Sequence, residues 1–454
     1  MKIRRMLVAN RGEIAVRIIR ACREMGIETV LAHSEADRQS LGTRLADHTV
    51  CIGPPPSDAS YLNIPHVVAA ALTTGCDALH PGYGFLSENA YLAEICGHCG
   101  LTFVGPPSAV IDTFRDKVAA RRRMAEAGLP ILPGSEEASV GLEATRATAA
   151  EVGFPVMLKA AAGGGGRGLR IADTDDDIVR SYPAAHAEAL ASFGNGDVYV
   201  ERLVFPARHI EIQVAADDLG NVVHLGERDC SLQRRHQKLM EETPSPGLSP
   251  SMRAAICEAA IRGAGAVGYR SVGTMEFLVD EADHFFFIEM NTRLQVEHPV
   301  TEMVTGIDIV KLQIRLAEGE PLPFGQEDVS SRGHAIECRV LAEDPDRDFA
   351  PEHSTIREYY PAGGPGVRID THVYTGYTPP PYYDSLLAKV ICWGEDRAEA
   401  IRRMERALKE IKVVGPRTTI PYHLAVLEDD EFRLGRTHTR WALAAAPKHA
   451  GNHR

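Results

Sequence analysis

Residues 289–297 read Glu-Met-Asn-Thr-Arg-Leu-Gln-Val-Glu, with a polar side chain at every second position. Extended backbone sends alternate side chains to opposite faces. Glu289, Asn291, Arg293, Gln295 and Glu297 would therefore share one surface, and Met290, Leu294 and Val296 the other. No lysine or serine dilutes the row, and the apolar run from Phe285 to Ile288 leads straight into it. A solvated sheet edge is one reading of the pattern; a metal- and anion-binding surface accounts for more of it.

Upstream, Gly273 to Asp280 read Gly-Thr-Met-Glu-Phe-Leu-Val-Asp, and a polar break, Glu-Ala-Asp-His, separates them from Phe285. Pairing Asp280 with Phe285 across that break sets Glu276 directly opposite Glu289. Like charges opposite one another on a sheet are destabilising unless something compensates them. With Asn291 alongside, the hard oxygen donors suit Mg²⁺ or Mn²⁺. The spacing thus predicts one ion within reach of Glu276, Glu289 and Asn291.

A chain of 454 residues is long enough for about three domains. Its 44% hydrophobic and 24% charged content is that of a soluble globular protein. The net charge of −13 argues against nucleic acid as a bulk partner, so an anion site must be built locally. The first residues hold no apolar run of the signal-peptide kind, and no stretch approaches membrane-span length. Nine scattered cysteines, an odd number, fit a reduced, cytoplasmic setting. Cys96-Gly-His-Cys99 has the spacing of a redox pair or of half a zinc site. A zinc site would want a second pair, and a redox motif would open a helix. This one closes a helical pattern, which points to structural cysteines.

The first hundred residues alternate strands (5–9, 29–33, 77–80, 102–105) with helical patterns such as 13–25, as in a parallel sheet with crossover helices. Two loops follow strands there: Asn10-Arg11-Gly12, and the aromatic turn from His80 to Asn89. Loops at the carboxyl ends of parallel strands commonly bind ligands, although both also read as structural turns. A helix over about 116–127 ends at Gly128. Residues 135–200 form a small unit with a Glu/Ala-rich helix, a strand at 156–159, a glycine run and a polar stretch. The following residues to 330 are β-rich, and a third section opens with a strand at 334–341 and closes on a helix at 397–411.

The glycine run, Gly163 to Gly168 (Gly₄-Arg-Gly), matches a dinucleotide fingerprint only weakly, because a strand rather than a helix follows it. No Lys-Ser/Thr completes a Walker loop. A flap whose amides fold onto phosphates fits better, with Lys159 beneath, though a plain flexible loop has the same composition. Lys117 opens a helix, and Glu227 to Lys238 gather a cluster of donors that also reads as surface charge.

Taken together, Asn-Arg-Gly-Glu-Ile-Ala, His-Pro-Gly-Tyr-Gly-Phe-Leu-Ser-Glu-Asn, the Lys159-to-Gly168 flap, Glu-Arg-Asp-Cys-Ser-Leu-Gln-Arg-Arg-His-Gln-Lys and Glu-Met-Asn-Thr-Arg-Leu-Gln-Val-Glu-His-Pro-Val-Thr-Glu closely resemble the biotin carboxylase component of biotin-dependent carboxylases, which are ATP-grasp enzymes. The resemblance runs in order from about residue 3 to 425. It implies an α/β and α+β fold: a parallel-sheet pre-ATP-grasp domain at 1–115, an ATP-grasp domain at 116–330 with a mobile lid over about 135–200, and a C-terminal biotin carboxylase domain at 331–445. It implies a ligase in which ATP phosphorylates bicarbonate and biotin then takes up the CO₂ released from carboxyphosphate.

Residue roles follow from the same resemblance. Lys117, Lys159, Gly165 and Gly166 resemble the phosphate-binding groups; His209, Gln233, His236 and Leu278 resemble the nucleotide contacts. Glu201, Arg202 and Leu203 form the hinge that would touch adenine mainly through backbone. Glu276, Glu289 and Asn291 resemble the ligands of Mg²⁺ or Mn²⁺. Lys238, Arg293, Gln295 and Val296 would hold bicarbonate, Glu297 would be its base, and Arg339 would stabilise the biotin enolate with Tyr83 near the biotin ring.

Some positions depart from the family. Arg202 replaces a usual Lys, residues 349–356 lack the usual Ser-Pro-Gly turn, and Pro365 replaces an aromatic residue that often packs in a homodimer interface. No Met-Lys-Met biotinylation site occurs, so the biotin would ride on a separate carrier protein, with carboxyltransferase subunits as further partners. Acetyl-CoA carboxylase in fatty acid synthesis is the expected setting; a pyruvate or other acyl-CoA carboxylase is the alternative. The rivals are another ATP-grasp ligase, against which the 293–297 row and Arg339 tell, and a regulatory paralogue, which would have lost a ligand or the base.

Overall fold

The computed structural model describes residues 2–135, 141–160, 170–193, 196–235 and 237–441. At the amino end a five-stranded sheet runs in the order His48–Gly53, Glu28–Ser34, Arg5–Val8, Ala78–His80, Thr102–Phe103. Every neighbouring pair is parallel. The helix Gly12–Glu24 crosses over it with Ile14, Ile18, Ile19 and Cys22 buried. Two loops leave the carboxyl ends of adjacent strands, and the Asn10 side chain ties them: its Nδ2 donates to the carbonyls of Pro81 and Tyr83, each at 2.7 Å. Gly82 makes this approach possible, since φ is +65° and a Cβ there would lie 2.9 Å from Asn10 Nδ2.

The largest element is an eight-stranded sheet in the order Phe285–Asn291, Ser271–Asp280, Ala207–Ala216, Val222–Arg234, Gln237–Thr243, His334–Leu341, Leu386–Gly394, Val367–Thr371. The expected boundary at 330 therefore falls within one sheet: Gln237–Thr243 pairs with His334–Leu341, Met240 opposite Cys338. A separate three-stranded antiparallel sheet joins Arg170–Ala172, Val156–Ala160 and Val198–Arg202 under the helices Leu142–Val152 and Asp175–Phe193.

Two helices occupy stretches that the sequence pattern left as polar or β-rich. Asp175–Phe193 opens on three aspartates, which favour a helix amino terminus. Pro250–Ala266 has Pro at its first position and a Ser249 cap accepting from the Met252 amide at 3.2 Å. Its buried side is largely Ala and Gly, so the apolar periodicity is faint. No helix among the described residues is long and apolar enough to cross a membrane. Cys96 is buried and Cys99 exposed at the end of the helix Ala90–His98, and all nine cysteines are free thiols.

Glu242 ties the two halves of the large sheet. Its carboxylate meets His334 Nε2 at 2.8 Å and Arg397 at 2.6 and 3.0 Å. Burial opposes its ionisation, but His334 and Arg397 outweigh that and hold its pKa down at about 2. A depressed carboxylate contributes stability above its unfolded pKa and loses it as pH falls through the folded value. Glu242→Gln should lower stability at pH 7 by about 3 kcal/mol. It should also flatten the loss between pH 4.5 and 2, read by urea unfolding across that window.

Candidate active site

Four charged groups stand in a row across four neighbouring strands: Arg228 opposite Glu211, Glu211 opposite Glu276, and Glu276 opposite Glu289. The expected Glu276–Glu289 pair is present, although by a different route. Asp280 pairs with His284 rather than Phe285, and a register shift between Glu276 and Phe277 restores the pairing. A hairpin loop one residue shorter and one bulge thus cancel.

Such a row of carboxylates needs cations, and the protein supplies them. Arg228, wholly buried, donates to Glu211 at 2.5 Å, Gln213 at 2.8 Å, and Thr301 and Thr274 at 3.0 Å. Lys238 Nζ donates to Glu211 at 2.6 Å, Glu276 at 3.0 Å and Glu297 at 2.6 Å. Burial alone would strip the Lys238 proton; the three carboxylates reverse that and raise its pKa well above the ordinary value. Burial likewise disfavours the charged forms of Glu276 and Glu297, yet both are held well below the usual carboxylate range. Lys238 and His209 do this for Glu276, and Lys238, Arg339 and Arg228 for Glu297.

The expected single strand face over 289–297 is corrected: the strand ends at Asn291, and residues 292–297 are irregular up to the helix His298–Thr305. Side chains bind what regular structure does not. Arg293 donates to Asn291 Oδ1 at 2.7 Å and Gln295 Oε1 at 3.0 Å, while Asn291 and Gln295 donate to Glu276 at 2.9 and 3.2 Å. Glu297 joins them through Lys238. Glu289 stands apart at the sheet edge, 3.5 Å from Lys117 Nζ.

Oxygen donors from Glu276, Glu289 and Asn291, with Lys117 and Lys238 already drawn to the two carboxylates, match the chemistry of a hard divalent cation. Among the described residues, two groups of three His, Cys, Asp or Glu side chains bring their ligand atoms within 4.8 Å of one another: His209, Glu211 and Glu276, and Glu211, Cys230 and Glu297. The Lys238 ammonium reaches carboxylates of both groups.

On the other side of Glu297, Arg339 donates to Glu297 Oε2 at 3.0 Å and to Glu241 Oε1 at 2.7 Å. Burial pushes Glu241 up to about 7 despite Arg339. Directly opposite Glu241 lies Glu337, wholly buried, with both oxygens lacking a hydrogen-bond partner among the described residues. Tyr83 donates its hydroxyl to Glu13, and the Val296 carbonyl accepts from Lys389 at 2.9 Å.

The residues expected to contact the nucleotide are held by protein partners of their own. Lys159 pairs with Glu201, which Arg121 also holds at 3.1 Å. His209 Nε2 lies 2.9 Å from Glu276, and Gln233 Nε2 lies 2.9 Å from His209 Nδ1. Leu278 is paired with His209 across the sheet. The Arg202 and Leu203 amides donate to the carbonyls of Pro133 and Pro155, so a base contacting those amides would replace internal bonds. Gly165, Gly166 and His236 lie outside the described residues.

Sequence reasoning missed Glu211, Arg228, Glu241 and Glu88. Glu211 was readable, because His209-Ile-Glu-Ile-Gln-Val214 has the same every-second-residue polarity. Glu88, in the His80–Asn89 loop, takes the Arg293 Nε at 2.8 Å and the Thr292 amide at 3.1 Å, a contact between distant segments that local pattern does not reveal.

Three family models match in succession: "Biotin carboxylase, N-terminal domain" over 2–111, "Carbamoyl-phosphate synthase L chain, ATP binding domain" over 116–324, and "Biotin carboxylase C-terminal domain" over 337–443. This chain belongs to the biotin carboxylase family. A biotin carboxylase of Nostoc is 54% identical, covering 97% of this chain and 98% of that one. A pyruvate carboxylase component of Methanothermobacter thermautotrophicus is 48% identical over 96% of this chain and 89% of its own. The fold superposes on the biotin carboxylase–β,γ-ATP complex of Campylobacter jejuni with a TM-score of 0.95 at 47% identity, covering 98% and 99% of the two chains. It superposes equally on the biotin carboxylase domain dimer of Hydrogenobacter thermophilus 2-oxoglutarate carboxylase, solved with MgADP, ADP and bicarbonate (TM-score 0.96, 47% identity, 98% of each chain). The three-part architecture and the enzyme class expected from the motifs are those of the family.

Replacing Lys238 by Met would leave Glu211, Glu276 and Glu297 without their shared cation. The variant should lose about 3–5 kcal/mol of stability at pH 8. Part of that loss should return at pH 5, where the orphaned carboxylates can take up protons; chemical unfolding at both values measures it.

Proposed function

We propose that this biotin carboxylase works on biotin attached to a separate carrier protein and supplies an acetyl-CoA carboxylase, activating bicarbonate with ATP. The observation that carries the mechanistic reading is the position of Glu297, held on Oε1 by Lys238 and on Oε2 by Arg339. One carboxylate thus faces both the group assigned to bicarbonate and the group assigned to the biotin enolate.

Lys117 and Lys159 bring positive charge to the phosphates, a role the family motif also gives to Gly165 and Gly166, while His209, Gln233, His236 and Leu278 are assigned to the nucleotide. Glu276, Glu289 and Asn291 would hold Mg²⁺ or Mn²⁺, which supplies neutralisation of the charge on the transferring phosphoryl group. Lys238, Arg293, Gln295 and the Val296 backbone orient bicarbonate. Its hydroxyl proton passes to Glu297, leaving a dianion competent to attack phosphorus. Glu297 waits ionised because Lys238 and Arg339 grip it. As they turn to substrate oxygens that grip loosens, and its proton affinity rises toward that of a working base. Arg339 stays cationic throughout, which suits an enolate that forms and disappears.

A homodimer and carboxyltransferase partners complete the proposal.

Glu297→Gln and Arg339→Ala should each lower biotin-dependent ADP release by at least about 100-fold, while ATP binding measured by equilibrium dialysis persists. Turnover at the wild-type rate in either variant refutes the assigned role. Chelation of divalent ions should abolish ADP release, and Mg²⁺ or Mn²⁺ should restore it. Copurification of a pyruvate-type partner instead of acetyl-CoA carboxyltransferase subunits would overturn the proposed acceptor.

A further inference from the structure

Lys389 lies in the middle of the Leu386–Gly394 strand and is wholly buried, with Ala388 and Val390 as its neighbours. Its ammonium touches no group assigned to chemistry through a side chain. Nζ donates to the Val296 carbonyl at 2.9 Å, lies 3.0 Å from Glu13 Oε1 and 3.9 Å from Asp370 Oδ2. Asp370 is itself committed to Arg368, at 2.9 and 2.7 Å. Across the sheet Lys389 stands opposite Arg339 on one side and Asp370 on the other.

Glu13 is the second member. It sits in the first turn of the Gly12–Glu24 helix, buried, and its Oε1 receives both Lys389 and the Tyr83 hydroxyl. Glu13 Oε2 has no hydrogen-bond partner among the described residues. The carboxylate therefore works through one oxygen, and the connection from Tyr83 to Val296 runs through that atom and Lys389 Nζ.

Buried ion pairs are poor sources of net stability, because desolvation offsets their attraction; their better attested use is to specify one arrangement. The arrangement here concerns two segments with no regular structure. Tyr83 is in the 81–89 loop of the amino-terminal unit, and Val296 is in the irregular stretch leading into the helix at His298. Neither has a strand or helix of its own to set its position, and Lys389, on a strand paired along both edges, offers both a common reference.

We propose that Lys389 and Glu13 are positioning residues that fix Tyr83 relative to the Val296 carbonyl, so that occupancy of the bicarbonate site and of the biotin site are coupled. The inference rests on the assignment of Tyr83 to biotin and Val296 to bicarbonate made above. Coupling between two sites is reciprocal, and a bridge of this kind should shift affinity at either by about tenfold.

The test uses the full chain with free biotin. In the wild type, the KM for biotin should fall about tenfold between low and saturating bicarbonate. In Lys389→Met and in Glu13→Gln that ratio should collapse to one, with the KM for ATP unchanged. Tyr83→Phe, which cuts the same bridge, should abolish the ratio too, and adding Lys389→Met to it should cost nothing further in biotin KM. Thermal unfolding of each variant is the second readout: a purely structural role would lower the melting temperature while leaving the ratio intact, and that result overturns the inference. Should Lys389→Met fail to fold, Glu13→Gln, which keeps the side-chain volume, carries the test alone. A wild type active with biotin but showing no ratio sinks the coupling alone. A wild type with no biotin-dependent turnover sinks the functional reading and the coupling with it.

Discussion

Glu211, Glu276 and Glu297 come from three separate stretches of chain, each at least nine-tenths buried, and converge on the Lys238 ammonium. Coulomb attraction at hydrogen-bond distance is strong there because little water screens it, and so is the penalty for any charge left over. Lys238 can be retained only as a cation, the carboxylates only as anions, and each only where the others stand. Arg228 repeats the device one strand away on Glu211. The positions of the sheet strands, of the irregular 292–297 segment and of Arg339 are all referred to this small set of distances.

How much of this was legible in sequence depended on whether the signal was local. The Glu276–Glu289 pairing followed from strand periodicity and a short polar break, and it survived a miscounted loop because the bulge compensated. The continuous face from 289 to 297 did not survive, since period-two polarity describes a strand only where ladder hydrogen bonds exist, and these stop at Asn291. The polar residues still meet, through Arg293 bonds to Asn291 and Gln295 rather than through pleat geometry.

Other misses have similarly plain causes. The helix Pro250–Ala266 buries Ala and Gly, whose small surfaces leave little hydrophobic periodicity to detect. Glu88 and Glu241 act on Arg293 and Arg339 from positions far away in the chain, a relation that only the folded chain creates.

The eight-stranded sheet also bears on how such a chain can be cut and inherited. Its amino-terminal five strands and carboxyl-terminal three meet at the pairing of Gln237–Thr243 with His334–Leu341, so a fragment ending near residue 330 would present a raw strand edge along Gln237–Thr243. Exposed edges of that kind recruit other chains and aggregate. Gene fusions and rearrangements that preserve activity must then move both sections together, as one inherited piece, with any new module attached outside the sheet rather than at its seam.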